Sequence, residues 1–118
     1  MDNIQIVKEV TEAFCDNRLD QQTLDKYFAP DFSHIANGRR TGLREYSEHL
    51  QRYMRDYQRF RIPAWDELFA VDDRVVAAYT LQGEKTSGPS DRVNVMAVWR
   101  LKDSKIASLR KVDAAMAA

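Results

Sequence analysis

The chain is 118 residues long, and its 18 Lys plus Arg balance 18 Asp plus Glu. That length suits one domain burying its own core, and a balanced charge with no run of five like charges removes the electrostatic case for nucleic acid. A single cysteine, Cys15, excludes an internal disulfide and a Cys-rich metal site. Because Met1–Gln5 lacks the basic flank of a leader and no run nears the roughly 20 apolar residues of a membrane span, the chain is expected to be soluble and cytoplasmic, with no membrane partner.

The first element is a helix over roughly residues 3–16, where Ile4, Val7, Val10 or Thr11, and Phe14 recur at helical spacing. Asn17–Asp20 interrupts it. Asp20 then caps a short second helix that presents Leu24, Tyr27 and Phe28, and Pro30 is expected to end it. Phe32–Asn37 alternates as a short strand, and Asn37-Gly38 supplies a turn. A third helix follows at about Gly42–Tyr57. Its apolar stripe is Leu43, Tyr46, Leu50, Tyr53 or Met54, and Tyr57, opposite a solvated face of Arg44, Glu48, Gln51, Arg52 and Arg55.

The back half reads as four strand-length runs: Phe60–Val71, Val75–Glu84, Arg92–Leu101 and Ile106–Asp113. Asp72-Asp73 and Asp103-Ser104 make two of the joints, and the Gly/Pro/Ser-rich stretch Lys85–Asp91 is a hairpin loop rather than a linker. An Ala-rich tail closes the chain at 114–118. Helices first and strands last predict an α+β domain with one antiparallel sheet. Long strands under a helix layer bend strongly, which leaves a conical interior suited to a small ligand.

Leu24-Asp-Lys-Tyr-Phe-Ala-Pro-Asp-Phe32, Asn37-Gly38, Gly42, Val71-Asp-Asp-Arg-Val-Val76, Val98-Trp-Arg-Leu-Lys-Asp-Ser-Lys-Ile106 and Asp113 follow one another in an order and spacing that resembles the nuclear transport factor 2-like superfamily, in its SnoaL-like branch. The likeness covers nearly the whole chain. It implies a cystatin-like cone, a homodimer formed through the sheet and a site at the open end. It implies no single activity, because the fold hosts isomerases, dehydratases, cyclases, epoxide hydrolases and non-enzymatic binders. Ketosteroid isomerase-like members place a carboxylate base late in the first strand, where this chain has His34-Ile-Ala-Asn37, and a tyrosine donor on helix one, where it has Phe14. The Asp–Arg–Asp group of limonene epoxide hydrolase-like chemistry does not assemble here either.

His34 is the sharpest candidate. It shares a strand face with Phe32 and Ala36, and an inward imidazole either exchanges protons and orients a ligand or is bonded into the wall. Asp113, which matches an acidic position of the resemblance, would fix the His34 tautomer or act as a base with a raised pKa. Its bland alternative is a carboxylate paired with Arg110 or Lys111. Tyr46, Tyr53, Tyr57, Tyr79, Trp65 and Trp99 are core or cavity lining, and Trp99, alternating with Val95, Ala97 and Leu101, is expected buried.

The other face of that strand carries Met96 and Val98 between Asn94, Arg92 and Arg100, a surface suited to a homodimer. His49 belongs to the helix rim, and Cys15 is packed rather than nucleophilic. Function then reads as binding of a small, mostly apolar molecule by His34, Tyr53 and Trp99. The alternatives are a cofactor-independent isomerase, dehydratase or cyclase using His34 and Asp113, or an assembly module with a solid interior. No metal or organic cofactor is implied.

Overall fold

A computed structural model describes residues 2–115. Met1 and residues 116–118, the end of the Ala-rich tail, lie outside them. The chain forms α1 (Asn3–Cys15), α2 (Gln21–Tyr27), β1 (Phe28–Ala36), β2 (Arg39–Gly42), α3 (Leu43–Asp56), β3 (Tyr57–Arg61), β4 (Trp65–Val71), β5 (Arg74–Lys85), β6 (Asp91–Lys102) and β7 (Lys105–Ala115). Three helices pack on one curved, unclosed sheet in the order β2-β1-β7-β6-β5-β3, with β4 also paired to β5. This is the α+β arrangement expected. No helix among the described residues is long and apolar enough to cross a membrane.

Local chemistry explains the helix ends. Asp2 accepts from the Gln5 backbone N–H while the Gln5 side chain returns the bond, a reciprocal cap on two otherwise unpaired donors. Asp20 caps α2 by accepting from Thr23 N–H at 2.9 Å. Beyond α1, Asn17 takes a left-handed backbone (φ 55°), and its side-chain amide donates to the carbonyls of Tyr57 at 2.9 Å and Gln58 at 2.7 Å. That clamp ties the end of α1 to the start of β3.

Four details differ from the sequence reading. The second helix stops at Tyr27, so Phe28 and Pro30 belong to β1; the ladder to β7 jumps from Phe28 to Ser33 there, an irregularity that accommodates a residue without an N–H. β2 is an added strand, folded back on β1 by a turn with Asn37 at φ 50° and Gly38 at φ 86°, the geometry Asn-Gly favours. Phe60–Val71 is two strands, because Pro63 and the restricted residue before it break the run. The sheet is mixed: β1 pairs with β7 in parallel, and every other ladder is antiparallel.

The core lies between helices and sheet. Val7 and Val10 of α1, Leu24 of α2 and Leu50 of α3 bury against Val75, Ala77, Val95, Ala97 and Leu109 on the inner sheet face. Near Leu24, the Phe28, Phe32 and Tyr46 rings pack with centroids 4.9–5.7 Å apart, and Ile106 seals that end of the core. From Tyr46 and His34 toward Tyr57 the interior is hollow.

Candidate functional site

The hollow is a cavity of about 230 Å³ between the inner sheet face and helices α1 and α3. Its deep wall is largely aromatic. His34 stands on β1 between Thr41 of β2 and Leu109 of β7, with the Tyr46 ring of α3 edge-on at 4.7 Å. Trp99 of β6 stands opposite Leu109 of β7, one strand further along the same face. Both side chains are about 95% buried, His34 with 5% and Trp99 with 4% of its surface exposed. Neither His34 Nε2 nor Trp99 Nε1 has a hydrogen-bond partner among the described residues.

The inward orientation of His34 follows the alternation with buried Phe32. Burial first, then the positive charge of Lys111 and the neighbouring His49, pushes its imidazole down from 6.5 to about 4. His34 is therefore neutral at pH 7, with one nitrogen donating and one accepting. Burial also raises the phenols of Tyr46, Tyr79 and Tyr53, so all three line the cavity as uncharged hydroxyls.

The rim is different. Leu109, Lys111 and Asp113 of β7 all face the cavity, and Val112 between the last two points outward with 61% exposure. Asp113 Oδ1 accepts from the Asn37 amide at 3.1 Å, Asp113 N–H donates to Asn37 Oδ1 at 3.1 Å, and Lys111 Nζ lies 3.5 Å from Asp113 Oδ2. Asp113 thus shares the cavity with His34, while its hydrogen bonds go to Asn37. Across the mouth the Tyr57 hydroxyl donates to Asp91 Oδ2, which Lys85 Nζ also approaches at 3.5 Å. That bond pushes the Tyr57 phenol up to about 12 and lowers the Asp91 carboxyl.

Tyr53 lies at the mouth, 40% exposed, edge-on to Phe14 and Phe60. His49, read as a helix-rim residue, also lines the cavity. Trp65 instead packs on the Tyr79 ring at 4.8 Å and borders a smaller recess beside Cys15. Burial, with Asp16 and Glu12 adding, raises the Cys15 thiol to about 12, which makes it inert. Lys111, Gly83 and Asp91 line the cavity without having stood out in the sequence as lining residues. Of these only Gly83 carries a signal there, an isolated glycine inside a strand, which often marks close approach of another group.

The structure closely matches solved proteins of low identity. An LEH-like epoxide hydrolase of Mycobacterium tuberculosis superposes with a TM-score of 0.79 at 18% identity, over 94% of this chain and 81% of that one. A SnoaL-like polyketide cyclase candidate from Jannaschia sp. gives 0.77 at 15% identity, over 94% and 84%. At those identities the likeness is one of fold. An uncharacterised protein of Schizosaccharomyces pombe is 22% identical over 105 residues, 89% of this chain and 80% of its own. The family model of the SnoaL-like domain matches residues 7–109, nearly the whole chain, so this protein belongs to the SnoaL-like domain family.

Proposed function

We propose that this protein binds a small, mostly apolar organic molecule in the cavity, with His34, Tyr53 and Trp99 as contacts. One observation carries the reading: a hollow of about 230 Å³ is walled by His34, Tyr53 and Trp99, and two of their ring nitrogens are buried without partners. A buried donor without an acceptor costs roughly 1–3 kcal/mol, and such groups are rare in native interiors. A ligand that turns either ring toward it and supplies a partner for its nitrogen removes that cost on binding. A volume of about 230 Å³ lies below the roughly 300 Å³ at which drug-sized pockets begin, so the ligand is one or two rings or a short chain.

The test is a thermal-shift screen of one- and two-ring compounds at millimolar concentration, with hits confirmed by the indole N–H resonance of Trp99. A ligand at 100 times its Kd stabilises by about 2.7 kcal/mol, several degrees for a domain this size. The reading fails if no compound moves either signal.

Enzymatic turnover is the second reading, favoured by Asp113 and His34 facing one cavity. In it His34 exchanges a proton, Asp113 orients the imidazole and a tyrosine hydroxyl stabilises oxyanion charge in an isomerase, dehydratase or cyclase reaction. It ranks second because an imidazole pushed down to about 4 is a weak base at pH 7, far from the pKa that suits proton transfer there. Turnover of a bound compound that survives both His34→Ala and Asp113→Asn would exclude it. The assembly-module reading needed a solid interior, which the cavity argues against.

The proposal includes a cytoplasmic homodimer through the outer sheet face. Met96 is 68% exposed and pairs across β6 and β7 with Val112, with Ala78 of β5 beside it. Light scattering of the parent at micromolar concentration should give twice the chain mass, and Met96→Lys with Val112→Lys should halve it. A monomeric parent would overturn this part alone.

A further inference from the structure

One row of the sheet at the cavity mouth is built around a missing side chain. Phe60 of β3 pairs with Gly83 of β5, and Gly83 pairs in turn with Asp91 of β6. The ladder between β3 and β5 slips between Tyr57 and Arg59. The Tyr57 and Phe60 rings consequently lie together, centroids 4.6 Å apart. Both rest on the inner surface of Gly83. A Cβ placed there would stand 2.7 Å from Tyr57 Cε1 and 2.9 Å from Tyr57 Cδ1, closer than real Cβ contacts come, and 3.0 Å from Phe60 Cε1, tighter than most. Over that bare backbone the Tyr57 side chain passes from β3 across β5, and its hydroxyl donates to the Asp91 carboxylate on β6.

Resting on the ligand-binding reading above, we propose that Tyr57 is a strap that ends the cavity and sets the length of ligand it admits, and that Gly83 and Asp91 are the positions that hold the strap in place. Tyr57, Phe60, Gly83 and Asp91 all line the cavity at this end. The Tyr57 backbone is fixed: its N–H donates to the Tyr53 carbonyl as the cap of α3, and its own carbonyl accepts from Asn17 at 2.9 Å. What is free to move is the ring, about its side-chain torsions. A charge-assisted hydrogen bond at its far end restrains it, together with packing on Phe60 and Gly83. Asp91 is held as an ion both by that bond and by Lys85. This edge of the mouth is therefore a side chain anchored at two points. Its removal should lengthen the cavity at this edge.

The experiment is calorimetric binding of the 1-alkanols from butanol to decanol to the full chain and its variants. While there is room, each added methylene should tighten binding roughly fourfold, the equivalent of about 0.8 kcal/mol. The parent should gain up to a cut-off length and then stop. Tyr57→Ala should continue the gain for about two more carbons past the parent cut-off, making the longest roughly fifteenfold tighter than in the parent. Tyr57→Phe, which unpins the ring, should move the cut-off the same way, and Gly83→Ala, which forces the ring off β5, should change it. Asp91→Ala should follow Tyr57→Phe, whereas Asp91→Asn, which keeps an acceptor for the hydroxyl, should retain the parent cut-off. If Gly83→Ala does not fold, the Tyr57 and Asp91 variants decide. An unchanged cut-off in Tyr57→Phe and Tyr57→Ala overturns the strap. A parent that binds no alkanol of any length overturns the binding reading, and the strap with it.

Discussion

The two ends of the cavity handle polar groups in opposite ways. At the rim Asp113 and Asp91 are partnered: one exchanges two bonds with Asn37 and stands near Lys111, the other takes the Tyr57 hydroxyl and stands near Lys85. In the deep wall His34 Nε2 and Trp99 Nε1 are buried and unpaired. A stable fold normally does the reverse, leaving wet positions loose and satisfying dry ones. The contrast teaches where to look for function. Paired rim groups hold strands in place, while the unpaired deep groups are ones a ligand completes only by turning a ring.

The largest expected effect tests the deep wall directly. Trp99→Ala removes a buried indole and should destabilise the fold by about 3–5 kcal/mol in urea denaturation. Trp99→Phe removes less volume and also removes the unpaired N–H. Relief of that donor offsets part of the smaller void, so this variant should lose no more than about 2 kcal/mol. Were the two variants equally destabilised, the indole N–H would have a partner in solution and the contrast between wall and rim would collapse.

Acid sharpens the same point at His34. Its folded pKa of about 4 lies below the ordinary 6.5, so the unfolded chain takes up the proton first. Stability is then unaffected by this group above about pH 6.5, falls as pH drops from there toward 4, and is down by about 3 kcal/mol once below both values. His34→Leu should remove that dependence, so the gap between parent and variant in urea titrations at pH 7 and pH 4.5 measures it. Equal slopes in the two proteins would mean that the imidazole reaches water or a partner.

Much of this is legible in the order of residues alone. Helical spacing places α1 and α3, and Asn37-Gly38, Asp72-Asp73 and Asp103-Ser104 mark tight joints where Asn37, Asp72, Asp103 and Ser104 do take positive φ. Alternation with Phe32 turns His34 inward. β2 is invisible there because Arg39 and Arg40 are exposed and only Thr41 is buried, so no apolar pattern marks it. The parallel pairing of β1 with β7 joins residues some 75 positions apart and leaves no local trace.

The facing of the last strand is undecidable from sequence for a physical reason. The ladder slips between Arg100 and Leu101, and both Ile106 and Ala107 are buried, so strict alternation breaks where it is needed. The strap is hidden likewise: Tyr57, Gly83 and Asp91 meet only through the register of three strands.

The smallest effect belongs to the rim, and it discriminates between the two functional readings. Asn37 holds a left-handed backbone at φ 50° and gives its whole amide to Asp113, and its backbone N–H donates to the Lys111 carbonyl at 3.0 Å. Asn37→Gly keeps the turn and deletes the side chain, and should cost about 0.5–1 kcal/mol. Asn37→Ala adds the strain of a left-handed alanine and should cost about 1 kcal/mol more. Because the amide serves the fold rather than a ligand, neither change should weaken binding of a screened compound by more than about threefold, less than the 1.4 kcal/mol of a tenfold change. A tenfold loss in Asn37→Gly, with folding intact by circular dichroism, would mean that Asp113 must be aimed for the ligand's sake. That outcome would move the weight from binding alone to the proton-transfer reading in which Asp113 orients His34.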